Sequence, residues 1–305
     1  MLQAKNLSRS YGEFRAVEDV SFEIDAGEIV GLLGHNGAGK TTIMKMLTGY
    51  LEPSAGEVLI GGRRVEAQAE AVQAELGYLP ENLPVYPEMT VIDYLEYAAS
   101  MRGVAAADRP AAVRDAAAAT ELTERAGSLI STLSRGYRQR VGVAQAIVHR
   151  PKYLILDEPT NGLDPQQTQQ MRELIRSLAR SATVILSTHI MQEVSAVCSR
   201  AIMLRSGAVV LDERLADLTT TRNLVVRTDA DLGAMRAAIG GQVNEIDAID
   251  GGYRLTVDEA SESVCASIAR ALFEAGARIS ALTPVTRDLE AVFREANEEV
   301  DHAAL

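Results

Sequence analysis

The residues with the most specific chemistry in this 305-residue chain are Gly34-His35-Asn36-Gly37-Ala38-Gly39-Lys40-Thr41-Thr42. Glycines at this spacing let the backbone wrap a polyphosphate so that successive N–H groups point at its oxygens, and a helix starting at the end of the run adds partial positive charge. Lys40 then reaches the β- and γ-phosphates, and the Thr41 hydroxyl is placed on Mg²⁺. Asp157-Glu158 ends the apolar run Tyr153-Leu154-Ile155-Leu156. There Asp157 suits Mg²⁺, directly or through water, and Glu158 can orient and deprotonate an attacking water. A solvated strand end would also explain two carboxylates, but not their company with a phosphate loop. Thr188-His189 closes another apolar run, 183–187. A lone histidine is more often structural; this one ends a strand on the expected ligand edge of a sheet, within reach of a γ-phosphate.

Two weaker signals accompany these. Leu133-Ser134-Arg135-Gly136-Tyr137-Arg138-Gln139-Arg140 opens a helical run, with Ser134 in the N-cap position, so Ser134 and Gly136 mark a second candidate anion site. Taken by itself, that run is better explained as an ordinary capped surface helix. Tyr11 lies in a turn between two early strands, where it either stacks on an adenine ring or packs over the turn.

The elements that must position these groups follow from hydrophobic spacing. Residues 2 to 33 alternate as antiparallel strands do, with Val20, Phe22 and Ile24 against Ser21 and Glu23. The apolar run Ile29–Leu33 enters the glycine-rich turn as a buried strand, and Thr42–Leu47 leaves it as a helix. Short strands are expected at 57–60 and 76–79. The three prolines of residues 80–87 exclude helix and central strand there. Thr90 and Asp93 form a cap for a helix whose apolar positions Ile92, Leu95, Ala99 and Met101 run to Gly103, and an alanine-rich helix is expected from Pro110 to about Glu124. Beyond Asp212 the order reads strand 224–228, helix 232–239, strands 243–249 and 253–257, helix 262–275 and strand 279–283. This βαββαβ order implies a ferredoxin-like sandwich, followed by a final helix at 288–296.

Composition narrows the classes. The net charge is -12, and residues 221–305 hold 15 acidic residues against 8 arginines and no lysine, a poor surface for nucleic acid. Cys198 and Cys265 have no partner at metal-ligand spacing and read as reduced thiols of a cytosolic protein. No stretch approaches 18 uncharged apolar residues, and no secretory leader is visible.

Taken together, these residues resemble the ATP-binding subunit of an ABC transporter over about residues 1–215. The phosphate loop, Leu133-Ser134-Arg135-Gly136, the Asp157-Glu158 strand, Gly162-Leu163-Asp164 and His189 stand in that family's order. The wording around Ser134, the Glu81-bearing proline loop and the acidic tail are similar to ABC-2-type exporters of the gliding-motility and antibiotic-resistance sort. The resemblance implies an α/β P-loop NTPase of ABC type, with a RecA-like core, an antiparallel β subdomain and a helical subdomain at about 88–150. This domain would span 1–218, and the α+β domain 219–305.

It further implies a head-to-tail homodimer, or a heterodimer with a second ATPase subunit, enclosing two ATP with Mg²⁺. Each ATP would lie between one subunit's phosphate loop and the other's Ser134–Gly136 helix, with Asp164 at the seam. Closure would act through the groove around Glu81 and Tyr86 on a separate ABC-2-type permease, with the ATPase peripheral on the cytoplasmic face of the membrane. Two positions depart from the family pattern. Arg135 replaces a glycine-like residue, and Glu81 replaces a glutamine whose metal-contact role it would inherit. The rival readings are a soluble ABC-type ATPase acting in translation or DNA repair, and a nucleotide-gated regulatory module. A single phosphate loop without a long heptad run disfavours the first, and Glu158 with His189 disfavours the second.

Overall fold

The computed structural model describes residues 1–219, 222–258 and 260–285, so the expected helix at 288–296 lies outside the described residues. The chain divides into two compact units, Met1–Arg214 and Leu215–Leu305. That division falls four residues before the boundary expected from sequence.

In the first unit, β1 (Leu2–Tyr11) and β2 (Phe14–Ile24) pair antiparallel, with Leu2 opposite Ile24 and Tyr11 opposite Phe14. Val20, Phe22 and Ile24 are buried and the residues between them exposed, as the alternation requires. Next come β3 (Ile29–Leu33) and α1 (Lys40–Leu47), then β4 (Ala55–Ile60) and β5 (Arg63–Arg64), which complete a sheet of order β2-β1-β4-β5. Helix α2 (Ala69–Gln73) and β6 (Leu76–Leu79) follow. At two and five residues, β5 and α2 are too short for periodicity to reveal, and sequence reading missed both.

Three helices come next: α3 (Val91–Met101), α4 (Arg109–Ala119) and α5 (Arg135–Ile147). They share a core that includes Val91, Tyr94, Leu95, Val113, Ala116, Val141 and Ala144. The apolar face of α3 differs from the one expected. Ile92 and Met101 are 41% and 70% exposed, while Val91, Tyr94 and Ala98 turn inward with Leu95 and Ala99. Tyr94 can be buried because its hydroxyl donates to the Pro84 carbonyl at 2.9 Å. Helix α4 also ends about five residues early: the Thr120 hydroxyl bonds back to the Ala116 carbonyl at 2.8 Å, and Glu121 takes a left-handed φ of 56° that a helix cannot continue.

The remaining elements of this unit are β7 (Tyr153–Asp157), α6 (Pro165–Leu178), β8 (Thr183–Thr188), α7 (Met191–Val197), β9 (Arg200–Arg205) and β10 (Ala208–Arg214). A second sheet runs β10-β9-β3-β8-β7-β6, parallel except for β10. Every residue of β6, β7 and β8 is buried, which suits a parallel sheet covered on both faces. Helix α5 lies so close to β6 that a side-chain carbon at Gly77 would collide with the Ala146 carbonyl. Glycine is therefore required there for lack of space.

The second unit opens with α8 (Leu215–Thr219) and continues β11 (Asn223–Thr228), α9 (Leu232–Ile239), β12 (Glu245–Ile249), β13 (Gly252–Thr256), α10 (Glu262–Glu274) and β14 (Ile279–Pro284). Its antiparallel sheet has the order β12-β13-β11-β14, the ferredoxin-like arrangement, around a core that includes Leu224, Val226, Met235, Leu255, Ile268 and Leu272.

Candidate functional site

The carboxyl ends of β3, β6, β7 and β8 lie along one edge of the parallel sheet, and the chemistry-bearing residues leave from these ends. Open α/β sheets bind ligands on this edge. From β3 the chain enters the phosphate loop, where Gly37 and Gly39 adopt φ of 85° and 104°. Gly39 caps α1 without a side chain, and the first turn carries no acidic residue, so the helix's leading N–H groups keep their affinity for an anion. The Lys40 ammonium is buried and donates to the carbonyls of Gly34 at 2.6 Å and His35 at 3.2 Å. It also lies 3.8 Å from Glu158 Oε1.

At the end of β7, Asp157 is 1% exposed. Its Oδ1 accepts from the Ser187 hydroxyl on neighbouring β8, whereas Oδ2 is buried and has no partner among the described residues. An unpartnered buried carboxylate oxygen is costly, and a cation would satisfy it. Thr41 lines the phosphate-loop cavity, whose wall includes Glu158 but not Asp157, and no cluster of three or more His, Cys, Asp or Glu able to hold a metal occurs among the described residues. One carboxylate and one hydroxyl fit Mg²⁺, which completes its shell with water and phosphate oxygens, better than they fit an ion needing an all-protein cage.

Glu158 is buried and takes φ of 50°, a strained value for a side-chain-bearing residue. Its N–H is shared between the Ser187 carbonyl and hydroxyl, both at 3.2 Å. His189 follows β8 directly, and its Nδ1–H donates to both Glu158 oxygens at 3.1 Å. Burial raises the Glu158 pKa above the ordinary carboxylate value; His189 and Lys40 pull it down, and Asp157 adds to the rise. A buried carboxylate with a raised pKa beside a phosphate loop is suited to accepting a proton.

Tyr11, Phe14, Ala16, Asn36, Gly37, Gly39, Lys40, Thr41, Thr42, Glu81 and Glu158 line a cavity of ≈ 380 Å³. Arg9 covers the Tyr11 ring, 4.9 Å from its centre, yet Tyr11 remains 48% exposed. Within the loop, Gly34 and Ala38 are buried and His35 is exposed. Phe14, 64% exposed, was missed in the sequence. An aromatic residue just past the Gly12-Glu13 turn was the available signal.

Ser134, Gly136 and Asp164 are not among the residues lining this cavity. They form a second cluster. Ser134 caps α5, accepting from the Tyr137 N–H at 3.4 Å, and Asp164 caps α6, accepting from the Gln167 N–H at 2.8 Å. The two helix starts abut: the Gln167 amide sits where a side chain at Gly136 would go, and the Arg135 guanidinium sits over Gly162.

The chain is similar in sequence and fold to known proteins. The ABC transporter family model matches residues 17–161. An uncharacterised ABC transporter ATP-binding protein of Bacillus subtilis (strain 168) is 32% identical over 97% of this chain and 95% of its own length. Nod factor export ATP-binding protein I of Paraburkholderia xenovorans (strain LB400) is 37% identical over 68% of each chain. Among solved structures, a dimeric bacterial ABC transporter cassette superposes with a TM-score of 0.65 at 25% identity, covering 70% of this chain and 99% of that one. Among the described residues no helix is long and apolar enough to cross a membrane.

Proposed function

The chain belongs to the family of ATP-binding subunits of ABC transporters and is an ATPase of that family, and from this premise we propose that it powers an ABC-2-type exporter as one half of an ATP-closed dimer. The observation that carries the proposal is the convergence of the phosphate loop, the unpartnered oxygen of Asp157 and the Glu158–His189 pair on one sheet edge.

In this reading the adenine stacks on the free face of Tyr11, and the loop's N–H groups with Lys40 hold the phosphates. Thr41 and Asp157 would hold Mg²⁺, which would supply positive charge against the phosphates. Glu158 accepts a proton from water as the water oxygen attacks the γ-phosphorus. The bond from that phosphorus to the β–γ bridging oxygen breaks, and ADP leaves with the electron pair. His189 holds the Glu158 carboxylate through Nδ1, and its Nε2 would serve the γ-phosphate. Glu81 borders the cavity from the loop after β6, where it would take the metal-contact role of the family's glutamine.

Ser134 and Gly136 face the ATP of the second subunit, and Asp164 the seam, so transition-state stabilisation is complete only on closure. The dimeric solved relative and the export protein among the sequence relatives favour this assembly. Closure then acts on a separate permease at the cytoplasmic membrane face, through the groove around Glu81 and Tyr86. The first unit, Met1–Arg214, acts as the nucleotide-binding domain, and the second is an accessory domain that regulates or supports the dimer.

With Glu158→Gln, excess ATP should trap a stable dimer, read by light scattering on the full chain; an unchanged monomer would refute the closure mechanism. Copurification from detergent-solubilised membranes should bring along a protein with about six apolar spans. Recovery only in the soluble fraction would refute the transport role.

A further inference from the structure

Glu193 on α7 is 4% exposed and lines no cavity wall described above. Burying a carboxylate is expensive, and an apolar residue of similar size would cost less unless the charge serves a purpose. Both of its oxygens are engaged by threonine hydroxyls from two separate turns. Thr160 Oγ1 donates to Oε1, and Thr188 Oγ1 donates to Oε2 at 2.7 Å. Thr160 lies two residues beyond Glu158, in a turn closed by the Asn161 N–H to the Glu158 carbonyl at 3.1 Å. Thr188 directly precedes His189, and its hydroxyl also accepts the Ile190 N–H at 3.0 Å, fixing the turn on which His189 rides.

We propose that Glu193 is a positioning residue: its carboxylate clamps the Thr160 turn to the Thr188 turn and thereby sets the Glu158–His189 contact. The proposal rests on the reading of Glu158 and His189 as the hydrolytic pair. That pair meets across 3.1 Å between segments that follow different strands. A shift of about 1 Å between catalytic groups is enough to cost on the order of 100-fold in rate. The nucleotide's own grip comes from α1 and its loop, which Glu193 does not touch. Loss of the clamp therefore falls on turnover and spares ATP affinity.

The test is a double-mutant cycle on the full chain, with Mg²⁺ATP hydrolysis followed in the steady state. Glu193→Ala, and the isosteric Thr188→Val as a variant that keeps the fold, should each lower kcat by about 10- to 100-fold with KM for ATP within about 2-fold. In a His189→Ala background the same changes should cost less than about 3-fold more, because the clamp acts through that histidine. Glu193→Gln, which retains one acceptor, should restore much of the rate. A kcat within 2-fold of wild type for both Glu193→Ala and Thr188→Val would overturn the proposal, as would an equal penalty with and without His189. If His189→Ala itself turns over at the wild-type rate, the catalytic pairing fails, and the clamp fails with it for a different, identifiable reason.

Discussion

Lowering the pH from 8 to 5 should destabilise the first unit by about 2 kcal/mol through His149 alone. This histidine lies just beyond α5, whose other end carries Ser134, and its Nε2–H donates to the Leu76 carbonyl on β6 at 3.1 Å. Nδ1 is buried without a partner among the described residues. Burial first, and the nearby Arg102 guanidinium second, lower its pKa from 6.5 to about 4, against a smaller opposing pull from Leu76. The folded unit therefore keeps the imidazole neutral where the unfolded chain would protonate it. Stability is complete above the unfolded value of 6.5 and is lost as the pH falls toward about 4. At about 1.4 kcal/mol per tenfold change in proton affinity, the whole loss is about 3 kcal/mol, of which about 2 is reached at pH 5. Urea unfolding of the nucleotide-free full chain, followed by circular dichroism at both pH values, measures it. His149→Gln keeps a donor for Leu76 and removes the titration, and comparing the two proteins cancels every other titrating group. Wild type should lose about 2 kcal/mol more than the variant between pH 8 and 5. Equal losses would refute the assignment of a neutral, buried His149.

Two further outcomes concern the nucleotide. Tyr11→Ala should weaken ATP binding by about 3- to 10-fold while leaving kcat at saturating ATP unchanged, since stacking on one free face contributes about 1 kcal/mol; equilibrium dialysis against labelled ATP decides it. Glu81→Gln should keep ATP affinity within about 3-fold of wild type, in contrast to Lys40→Ala, whose ammonium lies inside the loop. An affinity loss matching that of Lys40→Ala would give Glu81 a larger part than the cavity wall suggests.

The segments most legible in the sequence were those whose local pattern and final role coincide. The run from Ile29 into the glycine-rich turn, the capped start of α5, and the βαββαβ order after Asp212 each have signals written within a dozen residues. What escaped depends on distance. Glu193 reads as a polar residue on a short surface helix, because its threonine partners stand 33 and 5 positions away and only strand order brings both to it. Ser187 reads as one more strand residue until β7 and β8 are seen to be neighbours. The phase of α3 was misjudged because Tyr94, a polar-tipped residue, is buried in place of Ile92. The left-handed backbone of Glu158 has no signature in residue type at all.

The direction of the parallel sheet also divides the surface by how well it tolerates modification. The phosphate loop, Asp157, Glu158 and His189 stand at the carboxyl ends of the parallel strands, so the turns that feed the amino ends, such as the exposed Ser181 before β8, stand apart from the cavity. The chain has no tryptophan and two cysteines, of which Cys198 is packed beside Gly31 with its thiol pKa pushed upward by burial. A label attached through a cysteine introduced at position 181 would thus sit in an exposed turn on the side of the sheet away from the phosphate-loop cavity.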